Sequence, residues 1–158
     1  MSARPVLLAA ILALAAATPA RAALSIAVPT PVPPLALTPG GTASAFGVVS
    51  VTPDPLNPAW SLSVADTSGG AGHLLRGTGA VCAGVETQTV NQLSVRAAGS
   101  VPTTSSADTK TVGTTPATVA TGTVLDPAVQ VTFSLAVLPT EVLSSACTMR
   151  TTVTYTVQ

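Results

Sequence analysis

Residues 129–137 read VQVTFSLAV, and this stretch decides the fold. Large apolar side chains alternate there with small or polar ones without a break. This period of two is typical of a β-strand that buries one face in a core. The expected buried face consists of Val129, Val131, Phe133, Leu135 and Val137.

Weaker forms of the same pattern occur on both sides of this strand. Turns rich in Pro, Gly and Asp separate further strands, which the pattern predicts over 44–52, 60–65, 89–97, 117–124 and 149–157. In the first of them, Phe46, Val48 and Val51 are expected near one face. No stretch after residue 22 combines a helical period with caps at both ends. We therefore predict an all-β fold, an antiparallel β-sandwich of the Ig-like or Greek-key type.

The first 22 residues have the features of an export signal. Arg4 lies near the start, residues 6–17 are almost entirely Val, Leu, Ala and Ile, and Ala20 and Ala22 form a small-x-small ending. A membrane span is the alternative, but it needs about 20 apolar residues and this run is shorter. We predict a signal peptide over 1–22 and a secreted protein, which is expected at the cell wall and not inserted in a membrane after cleavage.

Prolines dominate residues 23–42, and the pair Gly40 and Gly41 follows them. Proline has no amide donor, so this composition opposes both a helix and a central strand. We predict an extended arm, with an edge strand followed by a polyproline-like stretch. A β-sandwich domain over 43–158 is expected to follow it.

Charged residues make up 8% of the chain, whereas an average soluble domain has about 25%. Six basic and six acidic residues give a formal net charge of zero. Loss of Arg4 and Arg21 with the leader makes the remaining chain slightly acidic. A nucleic-acid partner is excluded, because neutralising phosphates requires a basic stripe.

Cys82 and Cys147 are the only cysteines. An even number in an exported protein favours a disulfide, and two cysteines allow one intramolecular pairing. A reactive thiol pair is the alternative, but the chain has no Cys-x-x-Cys spacing. We predict a structural bridge between the two.

Side chains suited to catalysis are few and scattered. His73 is the only histidine, and no Gly-x-Ser-x-Gly motif accompanies it. The carboxylates mostly flank turns, where Asp has a structural role. One His and two distant Cys do not form a metal site. We predict a protein that is not an enzyme and uses no metal or cofactor, with a secreted hydrolase based on His73 as the remaining alternative.

Trp60, the only tryptophan, alternates with Leu62 and Val64 in a predicted strand. It is interpreted as a core anchor, with a stacking platform for a sugar ring as the alternative. The Trp60-x-Leu62 triplet resembles the first motif of the WxL cell-wall-binding domains of Gram-positive surface proteins. The resemblance implies non-covalent attachment to peptidoglycan, with Trp60 and Leu62 at the binding positions. Tyr155-x-Val157 stands where that family has its second triplet.

These observations predict a secreted, non-catalytic β-sandwich protein of the cell envelope. Its expected partner is a wall polymer such as peptidoglycan, or another surface protein. The alternative is a structural subunit that assembles by strand addition, with the arm 23–42 or the last strand as donor. The Ser- and Thr-rich stretch from Pro102 is interpreted as a mobile loop. The sequence leaves the oligomeric state open.

Overall fold

The computed structural model describes residues 23–78, 80–144 and 146–158. The predicted signal peptide lies outside these residues. The described chain is folded into strands and a single 3-10 turn, Ala80–Cys82. In chain order the strands are β1 (Ser25–Thr30), β2 (Thr42–Thr52), β3 (Trp60–Asp66), β4 (Leu75–Arg76), β5 (Ser94–Ala98), β6 (Ser105–Ser106), β7 (Lys110–Thr111), β8 (Ala117–Gly122), β9 (Asp126–Ala136), β10 (Met149–Arg150) and β11 (Val153–Val157).

The strands form two larger sheets and one small one, and all pairings are antiparallel. The five-stranded sheet has the order β1-β2-β9-β5-β7, and the four-stranded sheet has the order β11-β3-β8-β6. β10 and β4 form a separate pair. One cluster of buried apolar side chains draws its members from both larger sheets, so the two sheets pack face to face. The all-β antiparallel prediction is therefore confirmed.

The stretch that decided the prediction is the centre of the five-stranded sheet. β9 pairs with β2 on one side and β5 on the other. The five side chains expected to be buried are all at most 4% exposed: Val129, Val131, Phe133, Leu135 and Val137. A strand between two others has its inner face covered along its whole length, which explains why its alternation is so regular.

β2 confirms the strand predicted over 44–52, and the face that carries Phe46 points away from the core. Phe46 is 50% exposed, whereas Val49 and Val51 are fully buried. The residues that precede Val49 on the inner face are small, because the chain after β1 crosses that face. A Cβ on Gly47 would lie 2.7 Å from the Thr30 carbonyl oxygen. Large side chains do not fit there, so Phe46 and Val48 share the outward face, whereas Val51, which was expected with them, lies on the buried face after a register shift between Val49 and Val51.

Two other predicted strands are shorter than the pattern suggested. The stretch 149–157 divides into β10, which pairs with β4, and β11, which pairs with β3. Between them, the Thr152 carbonyl accepts a hydrogen bond of 2.9 Å from the amide of Thr67. The stretch 89–97 is a strand only from Ser94 onward. The segment after Pro102 includes the short, exposed strands β6 and β7.

The N-terminal segment contains the expected edge strand, and it packs against the sandwich. β1 pairs with β2 at the edge of the five-stranded sheet. The strap, which we define as residues 31–39, follows without regular secondary structure. Apolar side chains of this segment pack against the main core, namely Leu24, Ile26, Val32, Leu35 and Leu37. In the part of the chain that the structure describes, no helix has the length and apolar character needed to cross a membrane.

Candidate functional site: an apolar cavity beneath the strap

A cavity of about 810 Å³ opens at one side of the sandwich. The strap forms one wall, with the side chains of Val32, Leu35 and Leu37. Phe133 of β9 and Tyr155 of β11 belong to the opposite wall. The volume lies within the range of small-ligand pockets, about 300–1,000 Å³, and the lining is mostly apolar as in such pockets.

The proline content of the strap explains why a cavity remains there. A proline nitrogen cannot donate to a sheet ladder, so the strap does not continue the pairing of β1. Its C-terminal end is held by the backbone of Val137, which donates to the Gly41 carbonyl at 2.8 Å and accepts from the Gly40 amide at 3.1 Å. The strap is thus fixed at both ends and spans the opening between the two sheets.

An aromatic pair lies in the cavity wall. The ring centroids of Phe133 and Tyr155 are 6.4 Å apart, with an angle of 63° between the ring planes. This edge-to-face geometry is a favourable one for aromatic rings. Burial raises the pKa of Tyr155 to about 12, so its hydroxyl remains protonated at physiological pH. The cavity therefore receives no negative charge from this residue.

The two residues of the Trp-x-Leu triplet lie in the core. Trp60 is 3% exposed and Leu62 is fully buried. The indole Nε1 of Trp60 donates a hydrogen bond of 2.8 Å to the Val124 carbonyl. A shallow depression of about 530 Å³ passes beside Trp60, but almost none of the indole surface is accessible there. The position fits a core anchor, and direct contact of these side chains with a wall polymer stays a prediction.

Asp66 ties three segments together at the end of β3. Its carboxylate accepts hydrogen bonds from the amide and hydroxyl of Ser68, the Gly72 amide and the Thr151 hydroxyl, at 2.6 to 2.9 Å. Burial by itself raises the pKa of Asp66, but these hydrogen bonds outweigh it and lower the pKa to about 2. Gly72 has φ +91° and its backbone lies against Val112, so only glycine fits at this position. The role of this carboxylate is therefore structural, because its hydrogen bonds hold the loop in place.

Two further buried carboxylates have similar structural roles. Asp126 accepts from the Ser100 and Thr104 hydroxyls and from the amides of Ser100 and Ala128. Burial alone raises the pKa of Asp126, but these hydrogen bonds outweigh it and hold the pKa below its ordinary value. Glu141 accepts from the amides of Val90 and Leu138, each at 2.6 Å. A carboxylate saturated by internal donors is poorly suited to exchange protons with a substrate.

The imidazole of His73 is hydrogen-bonded to the backbone and not to a potential nucleophile. Its Nδ1 lies 2.7 Å from the Thr89 carbonyl oxygen, and because a carbonyl only accepts, Nδ1 carries the proton. Among the described residues, the hydrogen bonds of the ring involve no Ser or Thr hydroxyl. The arrangement lacks the hydroxyl-to-imidazole contact of a catalytic triad.

The predicted disulfide between Cys82 and Cys147 is confirmed. The Cα atoms are 4.9 Å apart and the bridge spans 65 positions of sequence. Both cysteines pack with Val85 in a small second cluster of buried residues. Cys147 also lines the cavity, so the bridge fixes the loop before β10 that forms part of the cavity wall.

Metal ligands do not cluster in the described part of the chain, where no three His, Cys, Asp or Glu side chains come together. The cavity itself was not predicted from sequence. The sequence signal for the cavity is the pair Leu35 and Leu37, which stand among prolines and indicate that one side of the strap is buried.

Fold and site define this chain as an all-β sandwich domain with one disulfide and an apolar cavity at its side. No known family model, curated protein or solved structure matches it.

Proposed function

We propose that this chain is an exported, non-catalytic binding domain of the cell envelope, which attaches to a wall polymer or to a surface partner. The observation that carries the proposal is the apolar cavity of about 810 Å³ beneath the strap. The domain provides a preformed concave surface, while its buried carboxylates and His73 are occupied by internal hydrogen bonds. That combination favours binding over chemistry.

Two features of the sequence support the envelope as the location. Residues 1–22 have the composition of a signal peptide. The bridge between Cys82 and Cys147 requires an oxidising compartment in most organisms. The resemblance of the Trp60 strand to WxL domains adds peptidoglycan as the expected polymer. In this proposal Trp60 and Leu62 support binding by holding the sheets together.

Cell fractionation tests the proposal. The full chain, with an epitope tag at its C-terminus, is expressed in a Gram-positive host, and its amount is measured in wall, membrane and medium fractions. We expect the processed protein in the wall fraction, with release by high salt or by wall-degrading enzymes. A secreted enzyme of another origin with the same tag serves as control. Recovery of the protein in the medium alone, in the same yield as this control, would contradict wall attachment.

Strand addition is a second candidate function, and one observation favours it. β1 at the edge of one sheet and β11 at the edge of the other flank the same cavity. Edge strands have unpaired backbone groups that accept a strand from a neighbour. The discriminating measurement is molar mass by light scattering over a concentration series. The substitution Thr154→Lys on β11 should lower the mass of any oligomer. A wild-type protein that is monomeric at all concentrations would exclude this candidate.

A further inference from the structure

The outer face of the five-stranded sheet has an ordered row of three side chains. Phe46 of β2 lies opposite Thr132 of β9, and Thr132 lies opposite Arg96 of β5. All three belong to the face that points away from the core, because their neighbours along each strand are buried or, in β2, face the strap. The row therefore crosses three adjacent strands of the outer face, with Phe46 and Arg96 exposed and Thr132 partly exposed.

Phe46 is an unusual residue for this position. It is 50% exposed, whereas Trp60 and Phe133 are each 3% exposed. Of the other exposed large apolar side chains among the described residues, Val28 lies in the edge strand β1, and the rest, such as Leu56 and Leu125, lie in connections between strands. A chain with 3% aromatic residues thus displays one of them in the middle of a strand. An exposed aromatic ring on a flat sheet is a platform for stacking.

Polar groups of the kinds that bind sugars surround this ring. Arg96 is exposed on this face. On one side of the row, Ser44, Ser134 and Ser94 are in register across the same three strands. On the other side Gln130 is exposed. The outward residues of β2, β9 and β5 include one cation, Arg96, and no carboxylate.

We infer that this face binds an acidic polysaccharide that has one carboxylate in each disaccharide. One sugar ring stacks on Phe46 and a carboxylate one disaccharide further along the polymer pairs with Arg96, while the row of serines and Gln130 hydrogen-bond to hydroxyls. Adjacent strands are about 4.8 Å apart, so two strand spacings separate the ring from the guanidinium by about 10 Å, a distance comparable with one disaccharide. The inference rests on the proposed function, and it adds a second surface, separate from the cavity, and the class of polymer that binds there.

Affinity electrophoresis tests it on the exported protein, purified from a host that secretes it. The probe is hyaluronate, which has one carboxylate per disaccharide, and carboxyl-reduced hyaluronate is its neutral match. The variants are Phe46→Ser and Arg96→Gln. Their controls are Leu56→Ser, which removes a more exposed apolar side chain in a turn, and Lys110→Gln, which removes an exposed cation that is in register with the buried Val95 and lies outside the row. Unfolding midpoints establish that each variant is folded.

We expect hyaluronate to bind the wild type and to lose about five- to tenfold in affinity with Phe46→Ser and with Arg96→Gln. The neutral polymer should bind the wild type as weakly as hyaluronate binds Arg96→Gln. Both control variants should bind hyaluronate with the affinity of the wild type. Equal affinity of wild type, Phe46→Ser and Arg96→Gln would overturn the inference. Wall attachment of all three in the fractionation experiment would then leave the proposed function in place, whereas its loss in the wild type would overturn the function itself.

Discussion

The indole of Trp60 lies directly on Gly122 of the neighbouring strand. A Cβ at Gly122 would be 2.4 Å from the indole Cζ2, and the two residues are paired in the ladder between β3 and β8. The indole therefore occupies the space that any other side chain at residue 122 would need. This contact makes Trp60 a packing residue of the four-stranded sheet, and its single hydrogen bond to Val124 fixes the ring in place.

Gly122→Ala is expected to destabilise the protein by about 2 kcal/mol, because the added methyl forces the indole or the backbone to move. The free energy of unfolding in urea measures this change. Gly113→Ala is the matched control, since a Cβ there meets nothing within 4 Å. It should leave stability unchanged or slightly raise it. Equal stability of the two variants would show that the indole is not confined.

Acid should weaken the fold through Asp66. The pKa of this carboxyl falls from 3.8 to about 2 on folding, so it contributes stability that is complete above about pH 4 and is lost as the pH falls towards 2. A shift of this size corresponds to about 2 kcal/mol. Asp66→Asn should therefore be less stable than the wild type at pH 7, and the difference should shrink towards pH 2.

Urea unfolding at pH 2 to 7 provides the measurement for this prediction. Asp126, whose pKa is also lowered on folding, makes the stability of the wild type fall in the same direction. Asp108→Asn changes an exposed carboxylate and is the control, with stability near that of the wild type throughout. A constant difference between wild type and Asp66→Asn over this range would contradict the structural role of the carboxylate.

Reduction of the bridge should lower stability substantially. The bridge closes a loop of 65 positions, for which the chain-entropy relation gives about 4 kcal/mol. The urea midpoint with and without dithiothreitol measures this loss. The double variant Cys82→Ser, Cys147→Ser should match the reduced wild type and should not respond to dithiothreitol. A reductant effect on the double variant would mean that the loss does not come from the bridge.

Features of this fold that depend on neighbouring residues could be predicted from the sequence, whereas features that depend on contacts between distant segments could not. The alternation in 129–137 identifies β9 because a central strand has its inner face covered along its whole length. Alternation alone did not show which face of β2 is buried, because that face is set by the crossing of the chain at Gly47, a contact between distant segments. The pairing of Cys82 with Cys147 was predictable since only two cysteines exist.

The cavity is the feature that sequence reasoning missed entirely. It arises where the strap meets β9, β11 and the loop before β10, and no local pattern contains that arrangement. The buried carboxylates were recognised as turn residues. The hydrogen-bond donors to Asp66 and Asp126, however, belong to residues up to 85 positions away in the sequence. Positions of Trp60 and Leu62 in the core follow from their alternation with Val64, as the core-anchor interpretation states.

The cavity should take up an apolar probe. Nile red, which fluoresces more strongly in apolar surroundings, is expected to bind the folded protein, because Leu35, Leu37 and Met149 present apolar surface to the opening. Ala36→Trp places a large ring in the wall from an exposed residue of the strap, so it should remove most of this fluorescence without unfolding the protein. Ala83→Trp makes the same change at an exposed residue outside the cavity wall and should leave the fluorescence at the wild-type level. Equal probe binding by both variants and the wild type would place the probe elsewhere and would remove the cavity as the basis of binding.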